Sequence, residues 1–309
     1  MAVLVLATSA FVEQQRAALV ALAPGERIYT NPDVAPPGEI EALLAFRLAA
    51  GIAPRFPALR LIACAGAGVD DLLSTPDVPA HVPIVRAVDP LQGQRMAQYV
   101  AMMVLRVQRE LPRLEMQHAQ ARWERFAPAP EEECTVGVMG HGAMGAPVVD
   151  ILAQLGFPVV VWTRSPRHVE SARSCCGPDD LAPFLAQSRI LVCALPLTGH
   201  TRGLLAASTL ALLPRGAYLV NVSRGAVLDE ADLVAAVDAG HLSGAALDVF
   251  ATEPLPVSSP LWRHPKLLCT PHVAATPRPD VAARQFLDNL SRARAGLPLV
   301  NLVDRTRGY

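Results

Sequence analysis

The chain has 309 residues, of which 51% are hydrophobic and 18% are charged, and its formal net charge at pH 7 is −1. This length allows two domains that each bury a core of their own. The near-neutral charge gives no electrostatic attraction toward nucleic acid or an anionic membrane, and no apolar run approaches the length of a membrane span. We therefore expect a soluble, cytoplasmic protein that binds neither nucleic acid nor a membrane.

Two residue types limit the chemistry further. The six cysteines show no Cys-x-x-Cys spacing and lie mostly in apolar runs, which predicts buried, reduced thiols. Lys266 is the only lysine, so Schiff-base, P-loop and lysine general-base chemistry have almost no residue to use. The histidines are isolated along the chain, and we expect no bound metal.

The N-terminal third alternates short apolar runs with amphipathic or proline-rich stretches, which predicts a small open parallel sheet. The predicted strands are Val3–Leu6, Arg27–Tyr29, Leu43–Arg47, Leu61–Cys64 and Ile84–Val85, and the predicted helices are Val12–Ala21 and Ile40–Leu44, with Leu43 and Leu44 open to either assignment. Gly66-Ala67-Gly68 follows the fourth strand, at the edge where open α/β sheets bind ligands. The backbone N–H groups of this loop can hold a carboxylate, although a simple turn fits nearly as well.

A glycine motif organises the second domain. Gly140-His141-Gly142-Ala143-Met144-Gly145 follows the apolar run Thr135–Met139 and precedes a helical stretch, Ala146–Leu155, and a second strand, Val159–Trp162. This order of strand, turn, helix and strand is the context of the G-x-G-x-x-G dinucleotide fingerprint. A pyrophosphate then lies at the helix N-terminus, where N–H groups and the helix dipole favour an anion. We interpret the motif as a dinucleotide site rather than a structural turn.

The residues after the second strand indicate which dinucleotide is preferred. Where a carboxylate normally takes the ribose hydroxyls, this chain has Thr163-Arg164-Ser165-Pro166-Arg167. A carboxylate repels a 2′-phosphate, whereas two guanidiniums and two hydroxyls can hold it. NADPH is the predicted cofactor, with NADH possible; the alternative is that Arg164 and Arg167 are only solvated loop charges.

The remaining elements complete a six-stranded Rossmann sheet. The further predicted strands are Ile190–Ala194, Tyr218–Asn221, Gly244–Leu247 and Leu267–Cys269, and the predicted helices are Gln94–Glu110, a continuation from Pro112 to about Trp123, Asp180–Gln187, Ala206–Leu213, Asp229–Ala239 and Asp280–Ala295. This pattern predicts a dinucleotide-binding domain at residues 94–278, inserted into a smaller, flavodoxin-like substrate domain of residues 1–93 and 279–309.

Three strand ends of the second domain carry polar residues suited to hydride transfer to a 2-oxo acid. Arg224 can pair with the substrate carboxylate, His272 can act as the proton donor, and Glu253 bound to His272 favours the imidazolium form. Each has a structural alternative: a helix C-cap or surface charge for Arg224, a helix-start or turn residue for Glu253 and a structural histidine for His272. Asp248 can receive the nicotinamide carboxamide or cap a turn, and His141 fits a tolerated side chain better than an acid.

Further residues that follow strands of the second domain are predicted to contact the cofactor, because they border the crevice where a dinucleotide lies. The complete predicted cofactor set is Gly140, His141, Gly142, Ala143, Met144, Gly145, Thr163, Arg164, Ser165, Arg167, Leu195, Pro196, Val222, Ser223, Asp248 and His272.

Several of these motifs together resemble the D-isomer-specific 2-hydroxyacid dehydrogenases. The resemblance rests on the 66–70 glycine loop, the fingerprint, Asn221-Val222-Ser223-Arg224-Gly225, Asp248-Val249-Phe250 with Glu253-Pro254, and Pro271-His272-Val273-Ala274-Ala275. Trp162-Thr163-Arg164-Ser165-Pro166, Pro260-Leu261-Trp262-Arg263-His264-Pro265 and Asn301-Leu302-Val303-Asp304-Arg305 resemble the glyoxylate/hydroxypyruvate reductase type within that family. Gln98, His141 and Thr276-Pro277 depart from the family pattern.

The resemblance implies a reductase of small 2-oxo acids, with 2-hydroxy acids as products. It makes Arg224 the substrate clamp, Glu253 and His272 the acid/base pair, and Ala67 with Gly68 a carboxylate-binding backbone. It also implies a homodimer formed through the cofactor domain, and closure of the two domains over substrate.

Two other classes of protein share part of this sequence pattern. The fingerprint also resembles that of β-hydroxyacid dehydrogenases, but those begin with the fingerprint and use a lysine on a later helix, which this chain does not offer. A non-catalytic dinucleotide-sensing protein on the same fold, resembling the corepressors related to this family, remains the alternative function.

Overall fold

The computed structural model describes residues 1–7 and 9–308; Thr8 and Tyr309, which belong to the predicted substrate domain, lie outside the described residues. The chain divides into two compact units, one formed by Met1–Leu91 with Thr276–Tyr309 and the other by Gln92–Ala275. Within the described part of the chain, none of the helices combines the length and apolar character of a membrane span.

The described elements are numbered here in chain order. The strands are β1 Ala2–Val5, β2 Arg27–Tyr29, β3 Ile40–Ala45, β4 Leu61–Cys64, β5 Ile84–Arg86, β6 Val136–Met139, β7 Val159–Thr163, β8 Arg173–Cys176, β9 Ile190–Cys193, β10 Ala217–Asn221, β11 Leu242–Leu247 and β12 Leu267–Cys269. The α-helices are α1 Ala10–Leu22, α2 Asp70–Leu73, α3 Gln92–Gln108, α4 Leu111–Ala119, α5 Gly145–Gln154, α6 Leu181–Gln187, α7 Ala207–Leu210, α8 Glu230–Asp238 and α9 Pro279–Ala295.

The first unit is built on a five-stranded parallel sheet in the order β2-β1-β3-β4-β5. This is the flavodoxin-like order, as predicted. On one face, α1 and α9 bury Leu19, Phe286 and Leu290 against the strands. On the other face, the connecting segments and α2 bury Phe56 and Leu72.

The predicted helix Ile40–Leu44 is wrong, because these residues form most of strand β3. All six residues of β3 are buried, between β1 and β4. A central strand of a parallel sheet is covered on both faces and so reads as a continuous apolar run without period two. Its one charged residue, Glu41, accepts a hydrogen bond from Arg294 Nε at 2.9 Å, which compensates the buried carboxylate.

The second unit contains a seven-stranded parallel sheet in the order β12-β11-β10-β9-β6-β7-β8. This is the predicted Rossmann arrangement, and the order reverses between β9 and β6, where dinucleotides bind in such sheets. The predicted count of six strands is wrong by one, since β8 was missed. Arg173 and Ser174 of β8 are exposed at the sheet edge, so this strand lacks the apolar run that marks the others.

Helices cover both faces of the second sheet. Helices α3 and α5 contribute Val100, Val104 and Leu152 to one buried cluster. Helices α6 and α8 contribute Phe184 and Leu233 to the cluster on the other face. The central strands between them are therefore buried on both sides, and because all the strands are parallel, the residues that follow each strand lie at one edge of the sheet.

Two predicted helices are shorter in the structure. Helix α4 ends at Ala119 rather than near Trp123, because Ala121 takes a left-handed φ of 50° and the chain turns. Helix α7 ends at Leu210 rather than Leu213, since the N–H groups of residues 212 and 213 bond to carbonyls three residues back instead of four. The predicted burial of the cysteines holds for only part of the set: Cys64, Cys134 and Cys193 are buried, whereas Cys175, Cys176 and Cys269 are half-buried.

Candidate active site

The glycine turn joins β6 to α5 at the position where the strand order reverses. The N–H of Gly140 donates to the Trp162 carbonyl at 2.9 Å, which ties the turn to the neighbouring strand. A Cβ atom on Gly145 would lie 2.1 Å from the Gly140 carbonyl oxygen, so only glycine allows the helix to start this close to the strand. A Cβ on Gly142 would meet no atom within 4 Å. Gly142 and Ala143 are exposed, and the turn therefore offers open backbone to a phosphate group.

His141 in this turn has a constrained side chain. Its Nδ1 is buried and has no hydrogen-bond partner among the described residues. Burial, followed by the charge of Arg167, lowers the pKa of His141 below its usual value of 6.5. The ring is therefore neutral at pH 7, which agrees with the interpretation of His141 as a residue that does not act as an acid.

The arginine-containing loop after β7 lies against the glycine turn. Nη1 of Arg167 donates to the His141 carbonyl, and Thr163 Oγ1 donates to the Ser165 carbonyl at 2.8 Å within the loop. Arg164, Ser165 and Arg167 are exposed. Residues 163–168 contain no carboxylate, so the donors of this loop suit a phosphate better than a pair of ribose hydroxyls. Open glycine backbone and two guanidiniums in adjoining loops fit an NADP-type dinucleotide.

The segment after β9 also borders the glycine turn. The N–H of Ala194 donates to the Met139 carbonyl at 2.9 Å, which continues the sheet pairing beyond the strand. Leu195 is buried and Pro196 is exposed. These two predicted cofactor residues therefore follow the strand that forms the other side of the switch point.

The segment after β10 positions Arg224. Asn221 Oδ1 accepts hydrogen bonds from the N–H and Oγ of Ser223, at 3.2 and 2.8 Å, so the buried Asn221 and Ser223 hold the turn. Arg224 is half-buried, and its Nη1 donates to the Ser223 carbonyl at 2.8 Å. A Cβ on Gly225 would lie 1.8 Å from the Phe250 carbonyl carbon, so Gly225 lets this turn approach the loop that carries Glu253.

Glu253 and His272 form a hydrogen-bonded pair. Their Oε2 and Nδ1 atoms lie 2.8 Å apart, and the second carboxylate oxygen of Glu253 accepts the N–H of Phe250 at 3.0 Å. Burial by itself raises the pKa of Glu253, but the hydrogen bonds from His272 and Phe250 and the charges of His272 and Arg224 outweigh it, and the net pKa is lowered. Glu253 is therefore ionised at neutral pH, and because a carboxylate only accepts, His272 Nδ1 carries the shared proton.

Asp248 organises the loop that carries His272. Its side chain is 1% exposed and accepts three hydrogen bonds, from Thr270 Oγ1 at 2.7 Å and from the N–H groups of Val273 and Ala274 at 2.9 Å each. The Asp248 carbonyl also accepts the N–H of His272 at 2.9 Å. The carboxylate thus caps the turn, one of the two predicted alternatives; contact with a nicotinamide carboxamide stays a prediction.

The 66–68 loop is held by hydrogen bonds from residues of the first unit itself. The Gly68 carbonyl accepts from Cys64 Sγ at 3.0 Å, and the Ala65 carbonyl accepts from Gln15 Nε2 at 2.6 Å. Among the described residues, the N–H groups of Ala67 and Gly68 donate no hydrogen bond. These two N–H groups have the donor chemistry that a carboxylate requires.

The sequence analysis did not predict three residues that support the 66–68 loop and the His272 loop through hydrogen bonds. Gln15 is fully buried on an otherwise apolar helix face, and Thr270 and Tyr99 bond to each other at 2.6 Å. A buried glutamine within an apolar pattern is a signal that could have been used, whereas nothing in the spacing of Tyr99 and Thr270 indicates that they meet. No group of three or more His, Cys, Asp or Glu side chains in residues 1–7 and 9–308 is arranged to hold a metal ion.

The fold and this arrangement of loops define a dinucleotide-binding α/β protein with a hydrogen-bonded Glu–His pair at the same sheet edge. Residues 101–274 match the family model for the D-isomer specific 2-hydroxyacid dehydrogenase, NAD binding domain. The chain belongs to the D-isomer specific 2-hydroxyacid dehydrogenase family, as the resemblance predicted.

Individual relatives agree with this assignment. The glyoxylate/hydroxypyruvate reductase A of Yersinia enterocolitica is 39% identical over 249 residues, which cover 79% of this chain and 80% of the relative. A D-isomer specific 2-hydroxyacid dehydrogenase from Xanthobacter autotrophicus Py2, solved in complex with NADPH and MES, has a TM-score of 0.91 at 41% identity and covers 100% of this chain and 99% of its own. The NADPH-dependent glyoxylate/hydroxypyruvate reductase of Sinorhizobium meliloti, solved with NADP and sulfate, has a TM-score of 0.92 at 32% identity and covers 100% of both chains.

Proposed function

We propose that this protein reduces a small 2-oxo acid of the glyoxylate or hydroxypyruvate type to the 2-hydroxy acid, with NADPH as the reductant. The observation that carries the proposal is the 2.8 Å contact between Glu253 and His272, which supplies a proton donor in the unit that carries the dinucleotide fingerprint. The names of the relatives from Yersinia enterocolitica and Sinorhizobium meliloti support the substrate class, and the related structures solved with NADPH and with NADP support the cofactor.

The cofactor is held, in this proposal, by the glycine turn and the arginine-containing loop. The backbone at Gly142 and Ala143 binds the pyrophosphate, while Arg164 and Arg167 bind the 2′-phosphate. The chemistry that bound NADPH supplies is a hydride for the carbonyl carbon of the substrate. NADH lacks the group that the two guanidiniums bind, so it is the weaker cofactor.

The protein's own groups bind the acid and deliver a proton. Arg224 pairs with the substrate carboxylate, and the N–H groups of Ala67 and Gly68 stay a predicted carboxylate-binding backbone. His272 donates a proton to the carbonyl oxygen as that oxygen becomes the hydroxyl of the product. Because Nδ1 of His272 is engaged by Glu253, the proton leaves from Nε2. Glu253 keeps the ring oriented and stabilises its charged form.

The test is a spectrophotometric assay of NADPH oxidation with glyoxylate, hydroxypyruvate and larger 2-oxo acids. The proposal expects turnover with the small acids, a lower rate with bulky ones, and weaker use of NADH. Tight NADPH binding without turnover of any 2-oxo acid would instead support the non-catalytic dinucleotide sensor.

A homodimer formed through the second unit, in the cytoplasm where NADPH is available, is part of the same proposal. Helices α3 and α4 and the segment that follows carry exposed apolar side chains, with Met102, Met116 and Trp123 exposed by 53%, 55% and 93%. A groove of about 970 Å³ between α3, α4 and α5 adds Leu111 and Leu155 to this face. Patches of this kind mark protein interfaces. Sedimentation of the wild type and of Met102→Glu tests it, with a shift to monomer expected for the variant.

A further inference from the structure

We propose that Tyr99 is a positioning residue for the His272 loop, acting through Thr270 and Asp248. The inference rests on the proposed role of His272 as proton donor. It concerns residues within the second unit only, and it assigns a function to a tyrosine on helix α3.

The direction of the hydrogen bonds follows from counting protons. Thr270 Oγ1 donates its single proton to Asp248 Oδ1 at 2.7 Å. Thr270 Oγ1 also lies 2.6 Å from the hydroxyl oxygen of Tyr99. Because the threonine proton is already used, the tyrosine must be the donor in the second bond. The series of hydrogen bonds therefore runs from Tyr99 to Thr270 to the carboxylate of Asp248.

Burial keeps this donor protonated. Burial, as the largest cause, raises the pKa of Tyr99 to about 12, although the hydrogen bond to Thr270 acts in the opposite direction. Tyr99 thus keeps its proton over the range in which a nicotinamide-dependent reductase works. A neutral phenol can support the buried carboxylate through Thr270 without adding a second negative charge beside it.

The loop that carries His272, at the end of this series of hydrogen bonds, needs support. His272 has a left-handed φ of 54°, a conformation that costs non-glycine residues free energy. Its N–H is shared between the carbonyls of Asp248 and Thr270, at 2.9 and 3.0 Å, and the next two N–H groups both reach the Asp248 carboxylate. Asp248 and Thr270 are therefore the groups that hold the turn in the conformation in which His272 meets Glu253.

Tyr99 joins this turn to a helix that is itself fixed by packing. Helix α3 buries Met96, Val100 and Met103 in the same core cluster as α5. The phenol hydroxyl thereby connects the imidazole loop to a helix that is packed into the core. The physical consequence is a narrower range of His272 orientations, which matters because a proton donor must stay within hydrogen-bond reach of its acceptor.

Amide hydrogen exchange of the protein without added ligand gives the first test. In Tyr99→Phe, the peptide that covers residues 271–275 should exchange roughly five-fold faster, as expected for the loss of one neutral hydrogen bond, while peptides from β6 and α5 stay unchanged. Tyr218→Phe is the matched control, since it removes the hydroxyl of a tyrosine in the core cluster against which Tyr99 packs. Unchanged exchange in Tyr99→Phe, or equal acceleration in the control, would overturn the proposal.

Turnover in a double-mutant cycle gives the second test. Tyr99→Phe and Thr270→Val should each lower kcat several-fold with unchanged NADPH affinity, and the double variant should be no worse than Thr270→Val alone, because Tyr99 acts only through Thr270. Thr270→Ser keeps the hydroxyl and should restore most of the activity. Additive losses would contradict the route through Thr270. The exchange measurement needs no turnover, so it tests the positioning role even if the proposed reaction is wrong.

Discussion

Nδ1 of His272 lies 2.8 Å from Oε2 of Glu253, although 19 residues separate the two along the chain. Both side chains follow neighbouring parallel strands, β12 and β11, so the sheet brings the two loops to one edge. His272 remains 48% exposed and Glu253 26% exposed, which leaves the ring accessible on the side away from the carboxylate. This pair is the basis of the first two predictions.

Replacing His272 by Asn should lower kcat by about 10²-fold or more, because the reduction loses its proton donor. NADPH affinity, measured by fluorescence titration, should change little, since the glycine turn and the arginine-containing loop are untouched. His264→Asn, which removes a histidine from the same unit, should retain activity. Undiminished turnover in His272→Asn would reject the assignment.

Replacing Glu253 by Gln should lower the upper pH limit of the reduction. The carboxylate has a lowered pKa and is ionised at neutral pH, so it stabilises the protonated imidazole beside it. The amide carries no charge, so the imidazolium that donates the proton loses this electrostatic support. Profiles of kcat/KM from pH 5 to about pH 10 measure the effect. Glu115→Gln, at an exposed ion pair, should leave the limit where it is; an unmoved limit in Glu253→Gln would refute the role.

Replacing Arg224 by Gln should raise KM for the 2-oxo acid by roughly ten- to a hundred-fold, as expected for loss of a charge-assisted hydrogen bond to a carboxylate. Arg224→Lys should recover only part of the affinity, because a lysine keeps the charge but lacks the planar fork. Arg202→Gln, an exposed arginine of the same unit, is the control. If saturation by substrate is identical in Arg224→Gln and wild type, Arg224 is not the clamp.

The arginine-containing loop should set the choice of cofactor. Arg164→Gln and Arg167→Gln should each weaken NADPH binding by about ten-fold and leave NADH binding almost unchanged, since only NADPH carries the 2′-phosphate. Arg173→Gln on the adjacent edge strand is a charge-matched control. Calorimetric titration with both dinucleotides measures the selectivity, and an equal loss for NADPH and NADH would show that the arginines act only on the loop conformation.

Asp89 should make the stability of the first unit dependent on pH. Its side chain is fully buried and accepts from the Leu91 N–H and from the backbone and side chain of Arg278. Burial alone raises the pKa of Asp89, but these hydrogen bonds and the arginine charge give a net lowering. A carboxyl group whose pKa is lower in the folded chain stabilises the fold fully above its unfolded pKa, about 3.9, and the contribution is lost as pH falls through the folded value.

Urea unfolding of Asp89→Asn measures this contribution. At pH 7 the variant should lose on the order of 1–3 kcal/mol of unfolding free energy, because a buried, multiply bonded carboxylate becomes a poorer acceptor. The difference from wild type should shrink below about pH 4. Asp288→Asn, at an exposed pair with Arg292, should change stability by less than about 1 kcal/mol. A difference that grows toward acid pH would contradict the sign argued here.

The sequence was a good guide wherever structure follows from local pattern. The alternation of strands and helices predicted both sheets, and the glycine fingerprint with the absence of a carboxylate after β7 predicted the kind of cofactor. Local pattern failed at β3 and at β8. In β3 a continuous apolar run does not distinguish a central strand from a short buried helix, and in β8 an exposed edge strand carries no apolar run at all.

The sequence by itself determined the class of fold and the kind of cofactor, and it indicated the candidate arginine, glutamate and histidine, because these depend on residue type and on position after a strand. Only the tertiary structure decided that Glu253 reaches His272, that Asp248 is occupied by the imidazole loop, and that Tyr99 supports it through Thr270. These contacts depend on the register of parallel strands and on the left-handed backbone conformation of His272. Contacts between loops that are distant in sequence produce no periodic pattern of residues from which they could be predicted.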